Sequence, residues 1–162
     1  MRIYSHYIDG HETDGSLAQA SLPIFNPASG EEQARVALAS KSDTERAIDS
    51  AKQAFDAWSK VSPLNRARVL FRFKALVEAH MDELAELICL QHGKVLEDAR
   101  GELVRGLEVV EFACGIPHLL KGEHTEQVGT GVDAWSINQP LGVVAGISPF
   151  NFPVMVPMWM FP

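Results

Sequence analysis

The run Leu141-Gly142-Val143-Val144-Ala145-Gly146-Ile147 constrains the fold more than any other part of the sequence. It contains no polar side chain and is built from small, aliphatic and β-branched residues, the pattern of a strand buried on both faces of a parallel sheet. Parallel neighbours are reached only through crossover connections of about a dozen residues or more. The sequence reaches Pro162 without a second run of this kind. An α/β chain is therefore expected, with residues 141–147 as the first strand of a nucleotide-binding unit whose sheet is incomplete within these residues. No internal repeat or low-complexity tract offers another completion.

A chain of 162 residues has room for one ordinary hydrophobic core. Its formal charge of -7 argues against the clustered basic attraction that nucleic acid or an anionic membrane requires, so no nucleic acid or membrane partner is expected and a small-molecule partner fits better. No charged residue follows Asp133, and the stretch from Leu141 to Pro162 is long enough to cross a bilayer. Pro149, Pro153, Pro157 and Pro162 would break the helix that lipid demands, and no Lys or Arg flanks the stretch, so a membrane span is rejected. Cys89 and Cys114 lie in apolar helical patterns and imply no disulfide framework, which favours a reducing compartment; a cytoplasmic location is expected. Met1 to Tyr7 carries neither an apolar leader core nor an Arg/Ser-rich presequence.

Short strands and turns are expected first. Asp9-Gly10 is a hairpin dipeptide after Tyr7-Ile8, and Asn26-Pro27-Ala28-Ser29-Gly30 is dense in turn chemistry after Ile24-Phe25, suggesting a small antiparallel element. An extended segment over residues 33–39 leads to Ser42 and Glu45, whose spacing is that of a capping box. In the helix that follows, Ile48, Ala51, Phe55 and Trp58 share one face, expected to be core. Ser62-Pro63 starts another helix, a break is expected near His80, and Gly93 ends the stretch. A further helix from Leu96 to about Cys114 carries the stripe Leu103, Leu107, Val110 and Cys114. Residues 132–139 read as a strand, and a buried helix starts after the turn that follows residue 147.

That turn, Ser148-Pro149-Phe150-Asn151-Phe152-Pro153, leaves the carboxyl end of the expected strand, where open α/β sheets bind ligands. Asn151 offers a neutral amide donor suited to stabilising a developing oxyanion without changing charge. Spacing alone favours the simpler alternative, an asparagine chosen for turn geometry and satisfied by nearby backbone. The histidines form no His-x-His or His-Glu-x-x-His pair, so no metal site is expected.

Residues 146–153 resemble the block of the aldehyde dehydrogenase family that ends its first nucleotide-binding strand and carries its oxyanion-hole asparagine. Tyr7-Ile8-Asp9-Gly10, Asn26-Pro27-Ala28-Ser29-Gly30-Glu31 and Ala54-Phe55-Asp56-Ala57-Trp58 also resemble family blocks, so the likeness covers nearly the whole chain. Residues 101–111, Gln139-Pro140-Leu141-Gly142-Val143 and Met158-Trp159-Met160-Phe161-Pro162 are similar to the CoA-acylating methylmalonate-semialdehyde branch. Phe150 fits that branch, many hydrolytic relatives having Trp there. The resemblance implies the N-terminal portion of the aldehyde dehydrogenase fold. Residues 1–162 would form part of the NAD-binding domain, with oligomerisation strands near 7–30 and 132–139 and the catalytic domain outside it.

The implied reaction begins when a cysteine thiolate attacks an aldehyde, with Asn151 donating to the oxygen that becomes negative. Hydride then passes to NAD, and the thioacyl group is released to CoA as propionyl-CoA or acetyl-CoA from methylmalonate or malonate semialdehyde. By the same resemblance, Ser148 and Phe150 line the cofactor pocket. Arg105 matches a branch feature that holds the substrate carboxylate in a bidentate fork; the alternative is a surface arginine paired with Glu102, Glu108 or Asp98. Neither Cys89 nor Cys114 sits in the loop type the family uses for its nucleophile, so the chain alone is expected to be inactive. A homo-oligomer is expected. The rival reading is a noncatalytic interaction module that associates through strand edges and an exposed Trp159-Met160-Phe161 surface.

Overall fold

The computed structural model describes residues 1–15, 18 and 20–162; positions 16, 17 and 19, inside the region 7–30, lie outside the described residues. The N-terminal part consists of β1 (Ile3–Tyr4), β2 (Tyr7–Ile8), β3 (His11–Glu12), β4 (Ser21–Phe25) and β5 (Glu32–Ala37). Strands β2 and β3 pair antiparallel around Asp9-Gly10, whose φ angles of 55° and 76° suit a turn with both central residues left-handed. The other three form a mixed sheet in the order β1-β5-β4, with β1 parallel and β4 antiparallel to β5. The expected antiparallel element is therefore only partly antiparallel. Between β4 and β5, Asn26 Oδ1 accepts the amides of Ala28 and Ser29 at 2.8 and 3.3 Å and closes the turn.

Helices α1 (Lys41–Trp58), α2 (Pro63–Ala79), α3 (Met81–His92) and α4 (Leu96–Cys114) follow. The α1 cap is Ser40 with Asp43, two residues before the expected pair. Ser40 Oγ accepts the Asp43 amide at 3.2 Å while Asp43 Oδ2 accepts the Ser40 amide at 2.9 Å. The Ser40 hydroxyl also donates to Asp43 Oδ2 at 2.6 Å, and this bond, followed by the Ser40 amide, holds the Asp43 carboxyl below the usual range. The expected core face of α1 is a second correction: no residue of α1 is buried, and Ile48 and Trp58 are exposed, because little among the described residues packs on it beyond β2.

The remaining helices behave as their patterns dictate. Ser62 caps α2 ahead of Pro63, the chain breaks at His80, and Gly93 closes α3 with φ 83°. Leu103, Leu107, Val110 and Cys114 are all buried on α4. The core joins them to Val77 of α2, Ala85 and Ile88 of α3, and Met158 of a last short helix, α5 (Met155–Met160).

Between α4 and α5 the chain forms a 3-10 turn at Ile116–His118 and a hairpin of β6 (His124–Gly129) and β7 (Val132–Trp135), every residue of which is exposed. Strand β6 was not anticipated, and the expected strand over 132–139 ends at Trp135. Beyond it the chain is tied down by Asn138, whose side-chain amide donates to Leu120 O at 3.2 Å. The expected strand over 141–147 takes no sheet partner, and Leu141 and Ile147 are 96% and 95% exposed. A strand exists only by pairing, and the described residues supply no neighbour for this one. No described helix is long and apolar enough to cross a membrane.

Candidate functional site

The Ser148–Pro153 turn is organised by two side chains that pattern reading did not single out, Lys94 and Glu102. Glu102 lies on the buried face of α4 with Ala99, Leu103 and Gly106, and is 0% exposed. Its Oε2 accepts from Lys94 Nζ at 2.6 Å. Its Oε1 accepts the amides of Val154 and Met155 at 2.8 and 3.0 Å, so the carboxylate caps the otherwise unpartnered start of α5. Burial alone would raise the Glu102 pKa; the Lys94 hydrogen bond, the two amides and the Lys94 charge outweigh it and hold the carboxyl below the usual range. Removing one partner of such a pair leaves an uncompensated buried charge, a loss of about 3–5 kcal/mol.

Lys94 also donates to the backbone oxygen of Asn151 at 3.0 Å and lies 4.5 Å from the centre of the Phe152 ring. The turn is thus held from Asn151 onward. The ammonium holds the carbonyl of Asn151, and the carboxylate holds the amides of Val154 and Met155. Gly106 permits this docking, since a Cβ there would lie 2.6 Å from Met158 Sδ and 3.4 Å from Met155 Cα. Pro157 stands in the first turn of α5, where a missing N–H removes no helical bond.

Asn151 itself is exposed, and its side chain makes no hydrogen bond among the described residues. The simple turn reading would have its amide spent on nearby backbone, as Asn26 spends its own. Here only the backbone of Asn151 is engaged. The apolar cavity beside α5, about 430 Å³ and lined by Leu70, Phe73, Pro153, Pro157 and Met158, begins at Pro153 and leaves the Asn151 amide outside.

Ser148 and Phe150 are exposed as well. The Phe150 ring leans on His92 at a centroid distance of 5.7 Å, which fixes one of its faces. The described residues provide no wall facing Ser148 and the open side of the Phe150 ring. Arg105 forms no ion pair with Glu102, Glu108 or Asp98. Its guanidinium instead lies 5.7 Å from the Phe152 ring centre, close to the turn. Lys94 and Arg105 are thus both within cation–π range of the same ring.

Sequence reading recovered the turn and missed what holds it. The available signal was a glutamate on the apolar stripe of α4, three residues from Ala99 and four from Gly106. A charge there requires a partner. That partner, Lys94, lies ahead of the helix, where no periodicity points to it. Among the described residues no cluster of His, Cys, Asp and Glu could hold a metal ion. Cys114 is buried, and burial, with Glu111 nearby, pushes its thiol pKa up despite the opposing charge of Lys74.

Residues 14–162 match the family model described as the aldehyde dehydrogenase family. The chain belongs to that family. Over all 162 of its residues this aldehyde dehydrogenase chain is 54% identical to the malonate-semialdehyde dehydrogenase of Pseudomonas aeruginosa, covering 32% of that protein. The crystal structure of methylmalonate-semialdehyde dehydrogenase from Oceanimonas doudoroffii superposes with a TM-score of 0.95 at 54% identity, over 99% of this chain and 33% of that one. A Sinorhizobium meliloti 1021 structure assigned to the same activity and complexed with NAD gives a TM-score of 0.95 at 52% identity, over 99% of this chain and 33% of that one. The chain thus spans about a third of the length of the relatives it matches, and its architecture is that of the N-terminal part of the aldehyde dehydrogenase fold.

Proposed function

We propose that this chain supplies the oxyanion donor and part of the cofactor pocket of an NAD-dependent, CoA-acylating dehydrogenase for malonate or methylmalonate semialdehyde. The observation that carries the reading is the division of labour at Asn151: its backbone oxygen is held by Lys94 while its side-chain amide is uncommitted. When a thiolate adds to the aldehyde carbon, negative charge gathers on the former carbonyl oxygen, and a neutral amide donor carried on a held backbone stabilises it. Asn151 Nδ2 is that donor in our reading, and it moves no proton. Bound NAD supplies the hydride acceptor, with Ser148 and Phe150 forming one wall of its pocket. CoA takes the acyl group.

Arg105 is assigned to the carboxylate that distinguishes these semialdehydes from simple aldehydes, because its guanidinium is unpaired and lies beside the turn. The chemistry of the relatives named above supports the substrate class. A homo-oligomer is proposed on a separate observation, since β6 and β7 are exposed along their whole length and offer an open edge.

The test is Asn151→Ala in the complete gene product, assayed for the rate of hydride formation in a single turnover. Loss of one such donor costs about 2.7–4 kcal/mol, so a fall of about a hundredfold or more is expected. A wild-type rate rejects the oxyanion role.

A further inference from the structure

The buried ion pair of Lys94 and Glu102 has no part in the reaction just described, yet it bonds backbone at three points, one in the reactive turn and two at the start of α5. Lys94 Nζ bonds Asn151 O at 3.0 Å, and Glu102 Oε1 bonds the amides of Val154 and Met155 at 2.8 and 3.0 Å. The two groups bond each other at 2.6 Å, with Glu102 fully buried and the Lys94 side chain 9% exposed. A pair serving only to stabilise the core would need no bond to a solvent-facing turn. Replacing buried ion pairs with apolar residues of similar volume is often neutral or stabilising, so stability alone does not account for this one.

We infer that Lys94 and Glu102 are positioning residues that aim the Asn151 amide by holding its own carbonyl and the backbone that follows it. The inference rests on the oxyanion reading of Asn151. Its physical basis is that Lys94 holds the carbonyl of the residue that carries the amide, while the Asn151 side chain has no hydrogen bond of its own among the described residues to hold it instead. Without the clamp the donor remains present but wanders, and misplacement on the scale of 1 Å reduces a rate by up to about a hundredfold.

The test uses the complete gene product carrying Lys94→Met and Glu102→Gln together. This combination leaves no buried charge unpaired, and the glutamine carbonyl still accepts the α5 amides. Single-turnover hydride formation is expected to fall about tenfold or more while the KM for the aldehyde stays within about twofold. Amide exchange over residues 151–155 should quicken. In an Asn151→Ala background the same two substitutions should change the rate by less than about twofold, because the group they aim has gone. An unchanged rate with Asn151 present overturns the inference, and so does an equal loss in both backgrounds, which marks a purely structural role. If Asn151→Ala alone turns over normally, the oxyanion reading fails first and the clamp has nothing to aim. Lys94→Gln with Glu102→Gln, which likewise leaves no buried charge unpaired and lets the two amides bond each other, serves if the first double variant does not fold; it should slow the step severalfold, and a wild-type rate again overturns the inference.

Discussion

The Arg105 guanidinium is exposed and has no carboxylate partner among the described residues, which leaves its fork open to an incoming anion. Arg105 has Glu102 three residues before it and Glu108 three after it, yet Glu102 is committed to Lys94 and Glu108 makes no bond to it. Its contact is the Phe152 ring at 5.7 Å, next to Asn151 in the turn. In the proposed function the fork of Arg105 receives the substrate carboxylate. Arg105→Leu in the complete gene product is then expected to reduce kcat/KM for malonate semialdehyde by about tenfold or more, the scale of a lost charge-assisted pair, and to leave propanal nearly unaffected. An unchanged preference between the two aldehydes, measured in competition, refutes the assignment. Asn151 and Arg105 were singled out in the sequence by the family and branch resemblance, spacing alone favouring a turn asparagine over an oxyanion donor. Their neighbours Lys94 and Glu102 were not, because a lysine ahead of a helix and a glutamate within it meet only after α5 has docked.

Helix α4 was read correctly from Leu96 to Cys114 because one continuous apolar stripe faces α2, α3 and α5, and no competing pattern interferes. Helix α1 has a stripe of the same kind that remains unburied, since periodicity reports which side is apolar and not whether a partner arrives. The expected strand over residues 141–147 failed for a related reason: its composition is right, but its ladder depends on neighbours outside the described residues. The α4–α5 contact depends on Gly106, where an added Cβ meets Met158 Sδ at 2.6 Å and Met155 Cα at 3.4 Å. Thioether atoms can move aside and helix backbone cannot. Gly106→Val is therefore expected to lower the unfolding free energy by about 1–3 kcal/mol, the usual range for overpacking, as measured by urea denaturation. A midpoint equal to wild type indicates that α5 is not closely docked.

For the molecule as a whole, chemistry depends on a nucleophile, and the two thiols present are poor candidates. Cys114 is buried with its thiol pushed up, which lowers its thiolate fraction at neutral pH, and Cys89 lies on α3 against the core. The 162-residue chain assayed with propanal, NAD and CoA should therefore show no turnover above background, followed by absorbance of the reduced cofactor. Appreciable reduction identifies a nucleophile among these residues and revises the proposal. The bond from Lys94 to Asn151 O joins positions 57 apart in sequence. Closing so long a loop has an entropic cost that local turns avoid, and only the completed helical assembly offsets it. On warming, the reactive bend is therefore expected to loosen before the helices do, which amide exchange at Asn151 against that along α4 would measure. An enzyme assembled this way would go silent at temperatures where its helices still look intact by circular dichroism.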